Sequence, residues 1–476
     1  MFKVAFVIPN SPSSIYVGPH LGLMTLAACI RRKFPLIEIK IFDSAIEKNV
    51  LNKILGFTPN LLGVTATTPI VIGAYHLLDE IRKINPNIFL VLGGQHATAL
   101  PNEASMHVDT VVVGEGENAI VEIVQKLMDN VPVPKIIHGE PVEDLDSLPR
   151  LAYDLVDMNK YIYKVYDRMP GWKVSDNKKN DYPMTRMTTS RGCPYRCPFC
   201  SNSKRKTKIR YFSAKRVIED IQFLLDNYGI RSVWFDDDDF VHNKKRLYDF
   251  IALFKAKGWH KQLTWGCETR VTCITHDVVK DVKDAGCVLM FFGVESISER
   301  SLDYLKCSTI TKENIDNAIQ ICHENKLAVL GSFIFGSPNE TLEEMQETFN
   351  WMKTRRLNGL TLCYGGILEV FPGTDLYDYA VENGIVDPLN FDYNRTRNID
   401  DPSATYLVDQ AVTQKEFKTF LDDVEAHMWL YNEVAKRNRI ILLTRTFRKY
   451  LFKNFKDALR IFWLLLKKQP DGYRNE

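Results

Sequence analysis

The chain has 476 residues, 45% of them hydrophobic and 25% charged, the balance of an ordinary globular protein with room for two or three domains. Its formal net charge of +2 excludes a global electrostatic argument for nucleic acid. No run has the length and apolarity of a membrane span, Met1–Pro9 is too short for a signal peptide, and ten mostly scattered cysteines fit a cytoplasmic, reducing setting.

Over the first 130 residues, short apolar runs alternate with helical periodicity. Strands are predicted at Lys3–Ile8, Ile37–Phe42, Leu61–Thr65, Ile88–Leu92 and Thr110–Val113, and helices at Leu21–Lys33, Ile70–Ile84, Ala99–Met106 and Asn118–Met128. Strands this apolar, separated by helices, form a parallel sheet covered on both faces. The class is α/β, a doubly wound Rossmann-like domain over residues 1–135. Its ligand belongs outside the C-terminal strand ends. Those ends read Thr65-Ala-Thr67-Thr, Gly93-Gly94-Gln95-His96 and Gly114-Glu115-Gly116-Glu. Glycine there admits a bulky ligand to the backbone, and helix N-termini favour anionic groups; each is also an ordinary tight turn.

Residues 136–182 lose periodicity and carry Leu148-Pro149 and the polar run Asp176–Asp181, the marks of a linker. A second alternating series fills 183–390. Strands are predicted at Met184–Ser190, Ser232–Asp236, Leu263–Glu268, Val288–Val294, Val329–Phe335 and Leu360–Leu368. Helices are predicted at Ala214–Tyr228, Lys244–Lys257, Asp277–Ala285, Lys312–Asn325 and Leu342–Arg355. Six such units make a partial (β/α)6 barrel, with its chemistry at the C-terminal face.

On that face, after the first strand, stands Ser190-Arg-Gly-Cys193-Pro-Tyr-Arg-Cys197-Pro-Phe199-Cys200. Three thiolates in a Cys-x3-Cys-x2-Cys loop hold three irons of a 4Fe-4S cluster and leave the fourth open to a non-protein ligand. Zinc is the competing reading, but structural zinc takes four protein ligands and the next cysteine is Cys267. A disulfide needs an oxidising compartment. Cys267, Cys273, Cys287, Cys307, Cys322 and Cys363 read as packing residues. The acid run Asp236–Asp239 alternates sides on a strand, so its four carboxylates do not converge. One or two of them face a cofactor, and the others cap a helix or face water.

This second unit resembles the radical S-adenosylmethionine superfamily. The resemblance rests on the three-cysteine loop together with Trp234-Phe-Asp-Asp237, Glu268-Thr-Arg270, Gly293-Val-Glu295-Ser296, Gly331–Gly336 with Pro338–Thr341, and Phe371-Pro-Gly-Thr374 at successive strand ends. It implies a cluster on Cys193, Cys197 and Cys200, and S-adenosylmethionine held by Phe199, Asp236, Arg270, Glu295, Ser296 and Gly336. Glu295 reads as a hydrogen-bond acceptor for ribose or the cofactor amine, or as half of a surface ion pair. Arg270 pairs with the cofactor carboxylate or braces a neighbouring acid.

The first unit is similar to the cobalamin-binding domain fused to such barrels, through Gly18-Pro-His-Leu-Gly-Leu23, Gly93–Thr98 and Gly114–Glu117. That likeness implies cobalamin on Thr65, Thr67, Gly93, Gly94, Gln95, His96, Gly114, Glu115 and Gly116. The family's Asp-x-His-x-x-Gly is absent, since Asp43 is followed by Ser-Ala-Ile-Glu-Lys.

The implied enzyme generates a 5′-deoxyadenosyl radical and methylates an unactivated carbon of a small-molecule or lipid substrate. Oxidative cyclisation or rearrangement, and a non-catalytic sensor, are the alternatives. An electron donor such as flavodoxin or ferredoxin is implied, and nucleic acid is not. Residues 391–476 form a helical extension. There Phe447, Leu451, Phe455, Ala458, Leu459 and Phe462 share a helical stripe among Arg448, Lys449, Lys453, Lys456, Arg460, Lys467 and Lys468. This helix either lies on an anionic inner membrane surface or packs on the barrel.

Overall fold

The computed structural model describes residues 1–9, 18–164, 183–204, 208–355, 360–396, 406–409, 411–435, 451, 455, 458 and 459. The polar run 176–181 and the basic residues of the C-terminal stripe lie outside these. Among the described residues, no helix is long and apolar enough to cross a membrane. The chain forms two compact units.

The first unit comprises Met1–Ile162, Phe199–Phe212 and Glu369–Asn398. Its six strands are β1 (Lys3–Ile8), β2 (Glu38–Asp43), β3 (Leu61–Thr65), β4 (Phe89–Gly93), β5 (Thr110–Gly114) and β6 (Ile136–Gly139). All are parallel, in the order β2-β1-β3-β4-β5-β6. Helices α1 (Leu21–Lys33), α2 (Val50–Phe57), α3 (Val71–Ile84), α4 (Gln95–Ala99), α5 (Pro101–Ala104) and α6 (Glu117–Met128) alternate with them. Ala5, Val7, Leu62, Leu90 and Leu92 are fully buried beneath Ile54, Val71, Ala74 and Leu78. Each buried Val or Leu contributes roughly 1.5–3 kcal/mol. Three features depart from the sequence expectation. In place of the single helix expected over Ala99–Met106, the short α4 and α5 meet at Leu100, with Pro101 opening the second. Ile136–Gly139 is a strand rather than linker: only four residues long and set between Pro134 and Pro141, it is held at the edge by register with β5. The eight-residue α2 lacks a sequence cap, its N-cap Asn49 taking a left-handed backbone without capping by its side chain.

The second unit comprises Tyr163–Pro198, Ser213–Leu368 and Ile399–Glu476. Its strands are β7 (Tyr163–Lys164), β8 (Pro183–Met187), β9 (Ser232–Phe235), β10 (Thr264–Glu268), β11 (Cys287–Glu295), β12 (Ala328–Phe335) and β13 (Leu360–Ile367). They lie in the order β13-β12-β11-β10-β9-β8-β7. Only β7 runs antiparallel, against β8. The six parallel strands are the predicted partial barrel. Helices α7 (Ala214–Tyr228), α8 (Lys244–Ala256), α9 (His276–Asp284), α10 (Glu299–Lys306), α11 (Lys312–Glu324) and α12 (Leu342–Arg355) connect them. After α13 (Asp375–Glu382) in the first unit, α14 (Gln414–Ala435) packs here on β13. Under the β9 end, Phe235, Phe240, Phe250 and Trp265 interlock at ring separations of 4.4 to 5.8 Å. Indole Nε1 of Trp265 donates to the Ala285 carbonyl at 2.9 Å. This aromatic knot fixes the turn that carries the acid run.

Candidate active site

The three-cysteine loop leaves β8 at the C-terminal edge of the barrel sheet. Cys193, Cys197 and Cys200 are half-buried and form no disulfide; the backbone N–H of Asn202 donates to Cys200 Sγ at 3.5 Å. Thiols accessible in this way are the donor type an iron–sulfur cluster takes. The stem of the loop is anchored by the acid run. Asp237, 1% exposed, accepts from the backbone N–H and hydroxyl of Thr189 and from the backbone N–H of Ser190. The buried Arg246 guanidinium reaches within 4.0 Å of the same carboxylate and donates to the Thr189 carbonyl at 3.0 Å. Burial raises the Asp237 carboxyl, and Arg246 with these hydrogen bonds opposes the rise. Asp237→Ala leaves two buried backbone donors without their acceptor and removes the carboxylate charge beside the buried Arg246. A loss of roughly 2–4 kcal/mol in urea unfolding is expected, together with less iron retained after reconstitution.

The other acids point elsewhere, and the reason differs from the sequence expectation: the strand ends at Phe235, so the acids lie in the turn beyond it rather than alternating along a strand. Asp236 accepts a two-point hydrogen bond from Arg186 of β8, and Asp238 is exposed. Asp239 accepts from the Thr269 hydroxyl at 2.7 Å. Glu268, at the end of β10, is pushed up to about 7 by burial and then by the Asp236 charge. Between about pH 4.5 and 7 the folded chain keeps a proton that the unfolded chain has released, so stability falls as pH rises through this window. Glu268→Gln is expected to match the wild type near pH 4.5 and to exceed it by about 3 kcal/mol at most near pH 8. Urea midpoints at the two pH values check this.

Glu295 is placed by an irregularity. The β11–β12 register shifts between Gly293 and Glu295, and Glu295 takes φ +61°, a left-handed conformation rare without glycine. Its carboxylate accepts from Lys306 Nζ at 2.9 Å and from the Ser332 hydroxyl at 3.0 Å. Both charged side chains are 8% exposed. A Cβ on Gly293 would come within 2.4 Å of Glu295 Oε1, which explains the glycine. An ion pair is therefore present, but it is buried and not the surface pair expected as the alternative. Ser296 is fully buried, its hydroxyl 3.1 Å from that of Thr348 and accepting from the Ser298 N–H. The N–H of Gly336 donates to Glu340 at 2.8 Å. Arg270 braces the cysteine loop: its guanidinium lies 3.5 Å over the Tyr195 ring and bonds the Thr309 hydroxyl. Phe199 is half-buried. Arg186, Lys306 and Tyr195 escaped the sequence reading. Arg186 left a trace, a charge inside the apolar run Met184-Thr-Arg-Met187, which demands a counter-charge nearby.

In the first unit, the ends of β3, β4 and β5 form a rim of small residues. Thr67, Gln95 and Gly114 are exposed, and Thr65, Gly93, Gly94 and Gly116 are partly so. Gly94 takes φ +96°, and a Cβ there would meet the Ala66 carbonyl at 2.7 Å. The glycine is therefore required by the close approach of the β4 end to the backbone at the end of β3. Two predicted residues turn away from this rim. His96 is fully buried, with Nδ1 3.2 Å from the Thr68 hydroxyl and Nε2 3.1 Å from the Tyr75 hydroxyl. Glu115 pairs with the buried Arg210 and accepts from the Val142 N–H at 2.9 Å. A His and a Glu beside glycines read as ligand contacts in sequence, but here they satisfy buried polar partners. Asp43, which lacks the family histidine after it, accepts from the Tyr161 hydroxyl at 2.8 Å.

Residues 187–352 match the profile of the Radical SAM superfamily, and residues 13–124 match that of the B12 binding domain. The uncharacterized methyltransferase PH0819 of Pyrococcus horikoshii is 32% identical over 419 residues, covering 82% of this chain and 86% of its own. The chain belongs to the radical SAM superfamily, in its B12-binding branch. This radical SAM protein therefore uses a 4Fe-4S cluster, S-adenosylmethionine and cobalamin. It is also 27% identical to the anaerobic magnesium-protoporphyrin IX monomethyl ester cyclase of Cereibacter sphaeroides over 64% of this chain and 51% of the relative. The cobalamin-dependent S-adenosylmethionine radical enzyme OxsB, solved with aqua-cobalamin, shares the fold at TM-score 0.67 and 15% identity, over 100% of this chain and 83% of that one.

Proposed function

We propose that this radical SAM protein methylates an unactivated carbon of a small-molecule or lipid substrate, with Cys193, Cys197 and Cys200 holding the cluster. The observation that carries the reading is the loop of three accessible thiols after the first parallel strand of a partial barrel, in a chain that also has a B12-binding domain. The likeness to a protein named a methyltransferase supports the outcome. When bound, the reduced cluster with S-adenosylmethionine supplies a radical that takes hydrogen from carbon, and methylcobalamin supplies the methyl group.

The chain's own residues orient and enclose. Asp237 and Arg246 hold the loop stem, and Arg270 and Tyr195 hold its middle. Asp236 with Arg186, Glu268, and Glu295 with Lys306 set polar groups at successive strand ends. Phe199 supplies an apolar face for the adenine. Thr65, Thr67, Gly93, Gly94, Gln95, Gly114 and Gly116 form the cobalamin rim, with His96 and Glu115 bracing it. A flavodoxin- or ferredoxin-type donor supplies the electron.

The likeness to a cyclase favours one second reading, oxidative ring formation. Incubation of the anaerobically reconstituted protein with dithionite, S-adenosylmethionine, cobalamin and candidate substrates separates the two. Methylation adds one methylene and yields S-adenosylhomocysteine together with 5′-deoxyadenosine. Ring formation removes hydrogen and transfers no methyl group. An intact cluster that never cleaves S-adenosylmethionine would refute both.

A further inference from the structure

Beside the three-cysteine loop lies a second group of metal-binding side chains that the radical chemistry does not use. Asp239 ends the acid run, His242 stands in the turn before α8, and Cys273 follows β10 by five residues. Their donor atoms all lie within 4.8 Å of one another. Asp239 Oδ2 is the shared corner, 3.5 Å from Cys273 Sγ and 3.6 Å from His242 Nδ1. Tetrahedral zinc holds sulfur at about 2.3 Å and oxygen at about 2.0 Å, which sets these two ligands about 3.5 Å apart, and oxygen and imidazole nitrogen about 3.3 Å apart. The observed separations are close to the edges of such a tetrahedron.

Asp239 is held as a metal-binding carboxylate would be, with the charges of Lys244 and Arg270 near Cys273. Asp239 is 5% exposed, and its other oxygen, Oδ1, accepts from the Thr269 hydroxyl at 2.7 Å. Such an outer hydrogen bond commonly orients a metal-binding carboxylate. Lys244 Nζ donates to the Cys273 carbonyl and makes no ion pair with Asp239 within 4.0 Å. The ring of His242 meets Tyr195 edge-on at 6.3 Å, and Arg270 covers Tyr195.

We infer that Asp239, His242 and Cys273 bind a zinc ion in an open site, with three protein ligands, between the turn after β9 and the segment after β10, behind Tyr195 of the cysteine loop. A thiolate, an imidazole and one carboxylate favour zinc over magnesium or calcium, which take oxygen shells. Three protein ligands leave the fourth position to water. The ion is separate from the iron–sulfur cluster and has its own ligands.

The test counts metal. The protein is reconstituted without oxygen, equilibrated with zinc, passed through gel filtration and assayed for iron and zinc by elemental mass spectrometry. About one zinc per chain is expected in the wild type. The same content is expected in a Cys193→Ala, Cys197→Ala, Cys200→Ala triple variant, which has no cluster. Cys273→Ser and His242→Ala are expected to lose the zinc while keeping their iron. Zinc-edge X-ray absorption of the wild-type holoprotein reads the ligands without any variant that must fold, and one sulfur among nitrogen and oxygen neighbours is expected. Absence of zinc from the wild type overturns the assignment. So do iron alone at the site, zinc that disappears with the three cluster cysteines, and a zinc shell of sulfur only.

Discussion

Cys197→Ala is expected to reduce 5′-deoxyadenosine release from S-adenosylmethionine to background under dithionite, in protein reconstituted without oxygen. A cluster bound through three thiolates has no spare protein ligand in the loop. Removing one sulfur leaves two irons held by the protein, and the fourth iron loses its fixed place beside the nucleotide. The effect is chemical rather than architectural, because Cys197 lies half-buried on a loop and its loss opens no core cavity. Cys267→Ala makes the control. That thiol is fully buried on β10, and burial raises its pKa far above that of an ordinary thiol, with Cys287 adding to the rise. It is therefore a packing group, and its variant should lose some stability but still cleave the nucleotide. Undiminished cleavage by Cys197→Ala would falsify the cluster assignment.

The second large effect is thermodynamic. Lys306→Met is expected to destabilise the barrel by about 3–5 kcal/mol, the usual result of removing one partner from a buried ion pair. Glu295 then stays buried with only the Ser332 hydroxyl at 3.0 Å, at a position already held in a left-handed conformation. The double variant Glu295→Gln, Lys306→Met should recover much of the loss, because no charge is stranded. A double-mutant cycle from urea midpoints isolates the pair energy. Additive single effects would show that Lys306 contributes through packing and not through its charge. The same cycle bears on Glu295 as a cofactor contact, since a carboxylate held by Lys306 and Ser332 is fixed in place before any ligand arrives.

The zinc assignment adds a third element to the same neighbourhood. Asp237 holds the stem of the cysteine loop, Arg270 covers Tyr195 in its middle, and Asp239 with His242 and Cys273 lies behind that ring. Three neighbouring acids thus serve three different partners: Asp236 with Arg186, Asp237 with the loop stem, and Asp239 with the metal-binding group. The four-acid run is consequently a branching point for the strand-end face and not one chelating cluster.

Much of the fold was legible from local pattern. Continuous apolar runs such as Lys3–Ile8 and Leu61–Thr65 announce strands buried on both faces, and the intervening 3.6-residue periodicity announces the covering helices. The cysteine loop was legible because its ligands are close in sequence, so their spacing is already a statement about geometry. Short elements were not. Ile136–Gly139 and Val50–Phe57 are too brief for periodicity to distinguish, and neighbouring strands and helices hold them in place.

Side-chain partners separated by tens of residues were beyond pattern altogether. Two alternating α/β units and a trio of thiols at a strand end follow from residue order alone, since both are written in spacings shorter than one element. It takes the folded chain to show that His96 and Glu115 face buried partners, that Glu295 is paired with Lys306, and that Cys273 stands beside Asp239 and His242. Those choices depend on strand register and helix rotation, which bring residues far apart in the chain within hydrogen-bonding distance.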